Sequence, residues 1–130
     1  MVKKNNPSDW QILIVEDEFD SLAVLTQTLE HNGVRVHSAG DGRECLNVLR
    51  RVQPTLVIMD LQLPEMDGWQ ALAAIRADPK TTNLPVVAIT AYHSASVAED
   101  AVNAGFNAYF PKPLDLASFV SSLAAIITRS

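Results

Sequence analysis

Short apolar runs rich in β-branched residues recur along the chain, and between them apolar residues return every three or four positions. The runs occupy residues 11–15 (QILIV), 34–39 (VRVHSA), 55–59 (TLVIM), 86–90 (VVAIT) and 108–110 (AYF). Their starts lie 21 to 31 residues apart, which leaves room for a helix after each run and none for hairpins. That spacing is the repeat of βαβ units and predicts parallel strands.

The intervening segments carry helix start and stop signals. Leu22, Leu25, Thr26 and Leu29 share one helical face, and His31-Asn32-Gly33 supplies a stop. Asp41 stands three residues before Glu44, close to a capping box, and Cys45, Leu46, Val48, Leu49 and Val52 then form an apolar stripe ended by Pro54. Trp69, Leu72, Ala73 and Ile75-Arg76 repeat the pattern until Asp78-Pro79 breaks it. Val97, Ala101, Val102 and Ala104 make a shorter fourth helix ending at Gly105. A fifth, over residues 115–128, turns Leu116, Phe119, Val120, Leu123, Ala124 and Ile127 inward.

The first, third and fourth runs are apolar on both faces, as strands covered on both sides must be, whereas Arg35 and His37 mark the second as an edge. Right-handed crossovers then deal the helices to both faces of the sheet. The expected fold is α/β, a doubly wound five-stranded parallel sheet of order 2-1-3-4-5, a flavodoxin-like three-layer sandwich. Residues 1–9, with Asn5, Asn6, Pro7 and Ser8, read as a disordered lead-in, and residues 10–130 as a single domain.

Composition narrows the function. At 130 residues and 48% hydrophobic the chain suits one domain that buries about two thirds of its unfolded surface without staples. Ten basic against 15 acidic side chains give a net charge of −5 with no basic cluster, which argues against direct nucleic-acid binding. The lone Cys45 has no partner for an intrachain disulfide. No apolar stretch approaches the roughly 18–20 residues of a membrane span, and the start is polar, so a cytoplasmic protein is expected.

In such a sheet ligands bind beyond the carboxyl ends of the strands at the switch point, here between the first and third strands. The first run ends in Glu16-Asp17-Glu18, the third in Asp60, the fourth in Thr90-Ala91 and the fifth in Pro111-Lys112-Pro113. Glu16, Asp17 and Asp60 would share one crevice, with Thr90 and Lys112 along its far wall. Carboxylates so close repel one another unless a cation sits among them, and oxygen-only donors point to Mg²⁺. An ammonium and a hydroxyl suit the oxygens of a phosphoryl group, and a carboxylate can accept that group as an acyl phosphate.

With these motifs in place the sequence resembles the receiver domain of two-component response regulators, from about Ile12 to Thr128. The resemblance rests on Glu16-Asp17, on residues 60–68 (DLQLPEMDG), on Thr90-Ala91 and on Lys112-Pro113, in this order and at these spacings. It implies that Asp60 is the phosphoacceptor and that Asp17, Asp60 and the main-chain carbonyl of Gln62 ligate Mg²⁺, with Glu16 acting through a water. It further implies that Thr90 and Tyr109 are a switch pair, that Lys112 bonds the phosphoryl group, and that the Lys112-Pro113 peptide is cis. Leu63 stands where methionine is more usual, and Gln62 and Tyr92 occupy positions that tune the phosphoryl lifetime.

The expected protein is a phosphorelay switch, not an enzyme with multiple turnover. It would take a phosphoryl group from a sensor histidine kinase or phosphotransfer protein. A downstream protein would then read the fourth helix, fifth strand and fifth helix, about residues 97–119. With no output module before Ser130, the output is expected from another protein unless the chain is part of a longer one. A monomer or a weak phosphorylation-dependent dimer is expected.

Simpler readings of the same residues exist. The acidic run from Glu16 is also a favourable first helical turn, Thr90 a β-former, Tyr109 a half-buried strand aromatic, and Asp67-Gly68 a turn and helix cap. His31, His37 and His93 read as surface, Trp10 and Trp69 as packing or surface aromatics, and Cys45 as a small buried apolar group. Two rival functions are a phosphorylation-independent adaptor with this fold and a small aspartyl-nucleophile phosphatase. The latter needs a second Asp two residues after the nucleophile, where this chain has Gln62.

Overall fold

Each of the five apolar runs is a β-strand in the computed structural model, which describes residues 6–129. The strands are β1 (Gln11–Val15), β2 (Arg35–Ala39), β3 (Leu56–Asp60), β4 (Val86–Thr90) and β5 (Ala108–Pro111). The helices are α1 (Phe19–His31), α2 (Gly42–Leu49), α3 (Gly68–Ala77), α4 (Ala95–Ala104) and α5 (Leu116–Arg129). All neighbouring strands pair in parallel in the order β2-β1-β3-β4-β5, as the spacing of the runs predicts.

Alternation along the strands divides the core in two. Leu13, Val15, Val57, Met59, Val86 and Ala88 face α2, α3 and α4, where they meet Cys45, Val48, Leu72, Ile75 and Ala101. Ile12, Ile14, Leu56, Ile58, Val87 and Ile89 face α1 and α5, where they meet Leu25, Leu29, Phe119, Leu123 and Ile126. Both faces of the central strands are dry, so β1, β3 and β4 are apolar except at their ends, where Gln11, Asp60 and Thr90 stand, while the edge strands keep more partly exposed residues.

Local chemistry sets the helix ends. Asp41 caps α2 by accepting from the Glu44 N–H at 2.8 Å, and the Glu44 carboxylate reaches back to the N–H of Gly40 and not to that of Asp41. Asp67 and Gln70 close a full capping box on α3. Ser94 caps α4, and Gly105 ends it in the left-handed region that glycine enters without strain.

The structure departs from the pattern in a few places. Ala71, not Ala73, joins Leu72 and Ile75 on the buried arc of α3, because Ala73 lies about 100° beyond Leu72 around the helix. Val102 is 62% exposed, because Ala101 alone of α4 is fully covered and Val102 sits one step outside that narrow contact. The lead-in expected over residues 1–9 falls partly outside the described residues. Of its remainder, Pro7–Asp9 form a 3-10 turn capped by the Asn6 side chain. Trp10, which follows, is buried.

Candidate functional site

Because β1, β3 and β4 are adjacent and parallel, their carboxyl ends open onto one crevice. Glu16 follows β1, Asp60 is the last residue of β3, Thr90 the last of β4, and Lys112 follows β5. Glu16, Asp60 and Thr90 are the buried polar side chains among the described residues, at 2%, 4% and 1% exposure. Burial of charge in an otherwise apolar interior is unfavourable unless each atom is answered, so three such groups in one crevice define a site.

Every carboxylate oxygen of the buried pair has a donor. Asp60 Oδ1 accepts from the Gln62 N–H at 2.8 Å, and Asp60 Oδ2 from Lys112 Nζ at 2.9 Å. Glu16 Oε1 accepts from the same ammonium at 2.6 Å, and Oε2 from the Glu18 N–H at 3.3 Å. The Lys112 ammonium thus bridges the two buried carboxylates, and the main-chain N–H of Lys112 donates to the Thr90 carbonyl at 2.8 Å. The Lys112–Pro113 peptide is cis.

The two sides of this pair are not equally firm. Burial alone would lower the pKa of Lys112, but its hydrogen bonds to Glu16 and then Asp60, with their charges, raise it, so the ammonium is held. Glu16 is pushed up to about 7, first by burial and then by its neighbour Asp60, with Lys112 opposing. Asp17 is exposed at the rim, yet it brings one oxygen to within 4.8 Å of oxygens from Glu16 and Asp60. Three carboxylates converging with no nitrogen or sulfur donor form a set that can hold a hard divalent cation.

Thr90 Oγ1 accepts from the Tyr92 N–H at 3.1 Å. Tyr109, half-buried on β5, packs against the α3 and α4 side of the core, and its hydroxyl meets His93 Nδ1 at 2.8 Å. The structure therefore brings Glu16, Asp17, Asp60, Thr90 and Lys112 into one crevice. It sets Tyr109 beside the loop after β4, and places Gln62 on Asp60 through its N–H. Cys45 is buried on α2, where burial pushes its thiol up to about 12, consistent with a packing role.

Two participants escaped sequence reasoning. His93 is at the surface, as its sequence context predicts, and is also bonded to Tyr109; its place three residues after Thr90 is the available signal. Gly68 lies at the turn and cap that Asp67-Gly68 predicts, and a Cβ there would also lie 2.5 Å from the Asp60 carbonyl oxygen, so only glycine lets the loop from Leu61 to Asp67 fold back over the strand end. Nothing local in the sequence marks that close approach.

A doubly wound sheet with an acidic crevice, a buried aspartate and a lysine at its switch point defines a class of phosphoryl-handling α/β domains. Residues 12–124 match the family model of the response regulator receiver domain. The chain is 37% identical over 106 residues to the regulatory protein AtoC of Escherichia coli (strain K12), covering 82% of this chain and 23% of that protein. A solved chain from Chloroflexus aurantiacus J-10-fl superposes with a TM-score of 0.87 at 30% identity, over 91% of this chain and 97% of that one. The receiver domain of sensor histidine kinase PA1611 from Pseudomonas aeruginosa PAO1 superposes with a TM-score of 0.84 at 31% identity, over 91% and 97%; that structure has a magnesium ion coordinated in its active site cleft. The chain belongs to the response regulator receiver family, the phosphoacceptor switches of two-component signalling, whose members pair with histidine kinases or phosphotransfer proteins. No described helix is long and apolar enough to cross a membrane.

Proposed function

We propose that Asp60 accepts the phosphoryl group and that the observation carrying this reading is the enclosure of its carboxylate. It is buried, flanked by two further carboxylates, and held at both oxygens by Gln62 and Lys112. Catalysis of phosphoryl transfer is mainly positioning and charge neutralisation, and this crevice supplies both.

In the proposed reaction a carboxylate oxygen of Asp60 attacks the phosphorus of a partner's phosphohistidine. The P–N bond breaks and its electron pair stays on the imidazole nitrogen. Lys112 shifts from the Asp60 oxygen to an oxygen of the bound phosphoryl group. Thr90, whose Oγ1 now only accepts from Tyr92, donates its hydroxyl proton to another. Asp17, Asp60 and the Gln62 carbonyl would hold Mg²⁺, with Glu16 acting through a water. The ion supplies positive charge against the converging carboxylates and the phosphoryl oxygens. Attack of water on the same phosphorus later restores Asp60, so the protein is spent and reset without turning over a separate substrate.

The phosphoryl group adds about two negative charges, which draws Thr90 and Lys112 inward and biases the adjoining α4, β5 and α5. Residues 97–119 are the proposed output face for a downstream protein, and Val102, 62% exposed, is an apolar contact on it. A cytoplasmic setting belongs to the same reading, because phosphohistidine donors are made where ATP is present.

Incubation with Mg²⁺ and acetyl phosphate, read by intact mass, tests the proposal. The expected result is a stoichiometric phosphoryl adduct that is lost in Asp60→Asn and without Mg²⁺. No adduct with any donor would favour the adaptor reading, and continuous phosphate release from varied monoesters would favour a phosphatase.

A further inference from the structure

We propose that His93 is a positioning residue that latches Tyr109 in the resting state and so sets how readily the switch is thrown. The proposal rests on Thr90 and Tyr109 forming the switch pair and goes beyond it, because it assigns a role to the loop between β4 and α4.

His93 lies in that loop, exposed, three residues after Thr90. Its Nδ1 is 2.8 Å from the Tyr109 hydroxyl, and the two rings stand 5.5 Å apart between centroids with a tilt of 34°. The preceding residue holds the other switch side chain, since the Tyr92 N–H donates to Thr90 Oγ1 at 3.1 Å. Two consecutive loop residues therefore engage both members of the pair. Movement of the Thr90 hydroxyl toward Asp60 strains or breaks its bond to the Tyr92 N–H. That displaces the loop, and with it the imidazole that anchors the Tyr109 hydroxyl.

The Tyr109 ring is half-buried against the core while its hydroxyl reaches the exposed His93. Inward rotation of the ring must break the bond to Nδ1. Nδ1 accepts from the phenol when it carries a lone pair and donates to the phenol oxygen when it carries the proton, so the latch holds in each protonation state. Loss of one such hydrogen bond shifts a two-state equilibrium by about 2- to 10-fold.

The chain has two tyrosines, so 3-fluorotyrosine labelling with Tyr92→Phe leaves a single ¹⁹F resonance from Tyr109. In this background that resonance should move when Mg²⁺ and beryllofluoride, a phosphoryl mimic, are added. Adding His93→Ala should displace it part of the way toward that position without the mimic, and should speed phosphorylation by acetyl phosphate by about 2- to 10-fold. His93→Gln, which keeps a hydrogen-bonding tip, should restore the original resonance and rate. A resonance that responds to beryllofluoride but is unmoved by His93→Ala, with an unchanged rate, overturns the latch and leaves the switch reading intact. A resonance that does not respond to beryllofluoride at all removes Tyr109 from the switch, and the latch with it.

Discussion

Lys112 Nζ lies 2.9 Å from Asp60 Oδ2, across the end of the intervening strand β4. The ammonium also holds Glu16 at 2.6 Å, so one side chain from the end of β5 ties together the ends of β1 and β3. Replacing it with alanine should slow phosphorylation of Asp60 by about 100-fold, the usual effect of removing one donor to developing negative charge. Stability should fall less, by roughly 4 °C in Tm, because the crevice opens to solvent and Glu16 can take up a proton. Phosphorylation rate and thermal unfolding of Lys112→Ala test this together. A large loss of Tm with an unchanged rate would make Lys112 a structural residue only.

Glu16 gives the protein a pH dependence whose sign can be stated. Its carboxyl rises from an ordinary 4.5 to about 7, chiefly through burial, so folding favours its protonated form in the absence of a cation. That stabilisation is whole below pH 4.5 and is lost as the pH climbs through about 7. A divalent cation favours the ionised carboxylate instead. The rise in Tm on adding Mg²⁺ should therefore grow between about pH 6 and about pH 8, and Glu16→Gln should flatten the metal-free slope. Thermal melts across that range, with and without the ion, measure it; a Mg²⁺ effect that is constant with pH contradicts the assignment.

Gly68→Ala should disturb the site from behind. The new Cβ would meet the Asp60 carbonyl oxygen at 2.5 Å and the Leu61 Cα at 3.0 Å, both backbone atoms that cannot swing aside. Destabilisation of about 1–3 kcal/mol is expected, with slower phosphorylation because the loop bearing Gln62 must lift. Urea unfolding and the mass assay together decide whether both effects occur.

Arg76 is a clamp remote from the crevice. Its guanidinium donates to the carbonyls of Thr82, Leu84 and Gly105 and to Asn107 Oδ1, joining the end of α3 to the end of α4 and the start of β4. Arg76→Met keeps the apolar stem but leaves those acceptors without their cation. A loss of about 2 kcal/mol in urea unfolding is expected, with adduct formation at Asp60 unchanged. A slower adduct would show that the clamp also positions the site.

The strands, their parallel pairing and the crevice at their ends were legible in the sequence because each rests on local pattern. Doubly covered strands must be apolar through their middles, so QILIV, TLVIM and VVAIT announce β1, β3 and β4, and the polar residues at the carboxyl end of each run line the crevice. Asp60 and Glu16 could be nominated because both stand at the carboxyl ends of strands that flank the switch point, where ligands of such a sheet bind.

Contacts between residues distant in the chain were decided only by the tertiary structure. Periodicity located α3 and α4, but whether Ala71 or Ala73 and whether Ala101 or Val102 faces the sheet depends on how each helix settles, which a stripe of small residues leaves open. The sequence placed Glu16, Asp17 and Asp60 at the switch point, called for Mg²⁺ among them and set Lys112 on the far wall. The direct bonds from the Lys112 ammonium to Glu16 and Asp60, 96 and 52 residues away in the chain, were decided by the fold. The approach of Gly68 to the Asp60 carbonyl and of His93 to Tyr109 belongs to the same category. Alternation and spacing are written in neighbouring residues, whereas a hydrogen bond across strands exists only once the sheet has closed.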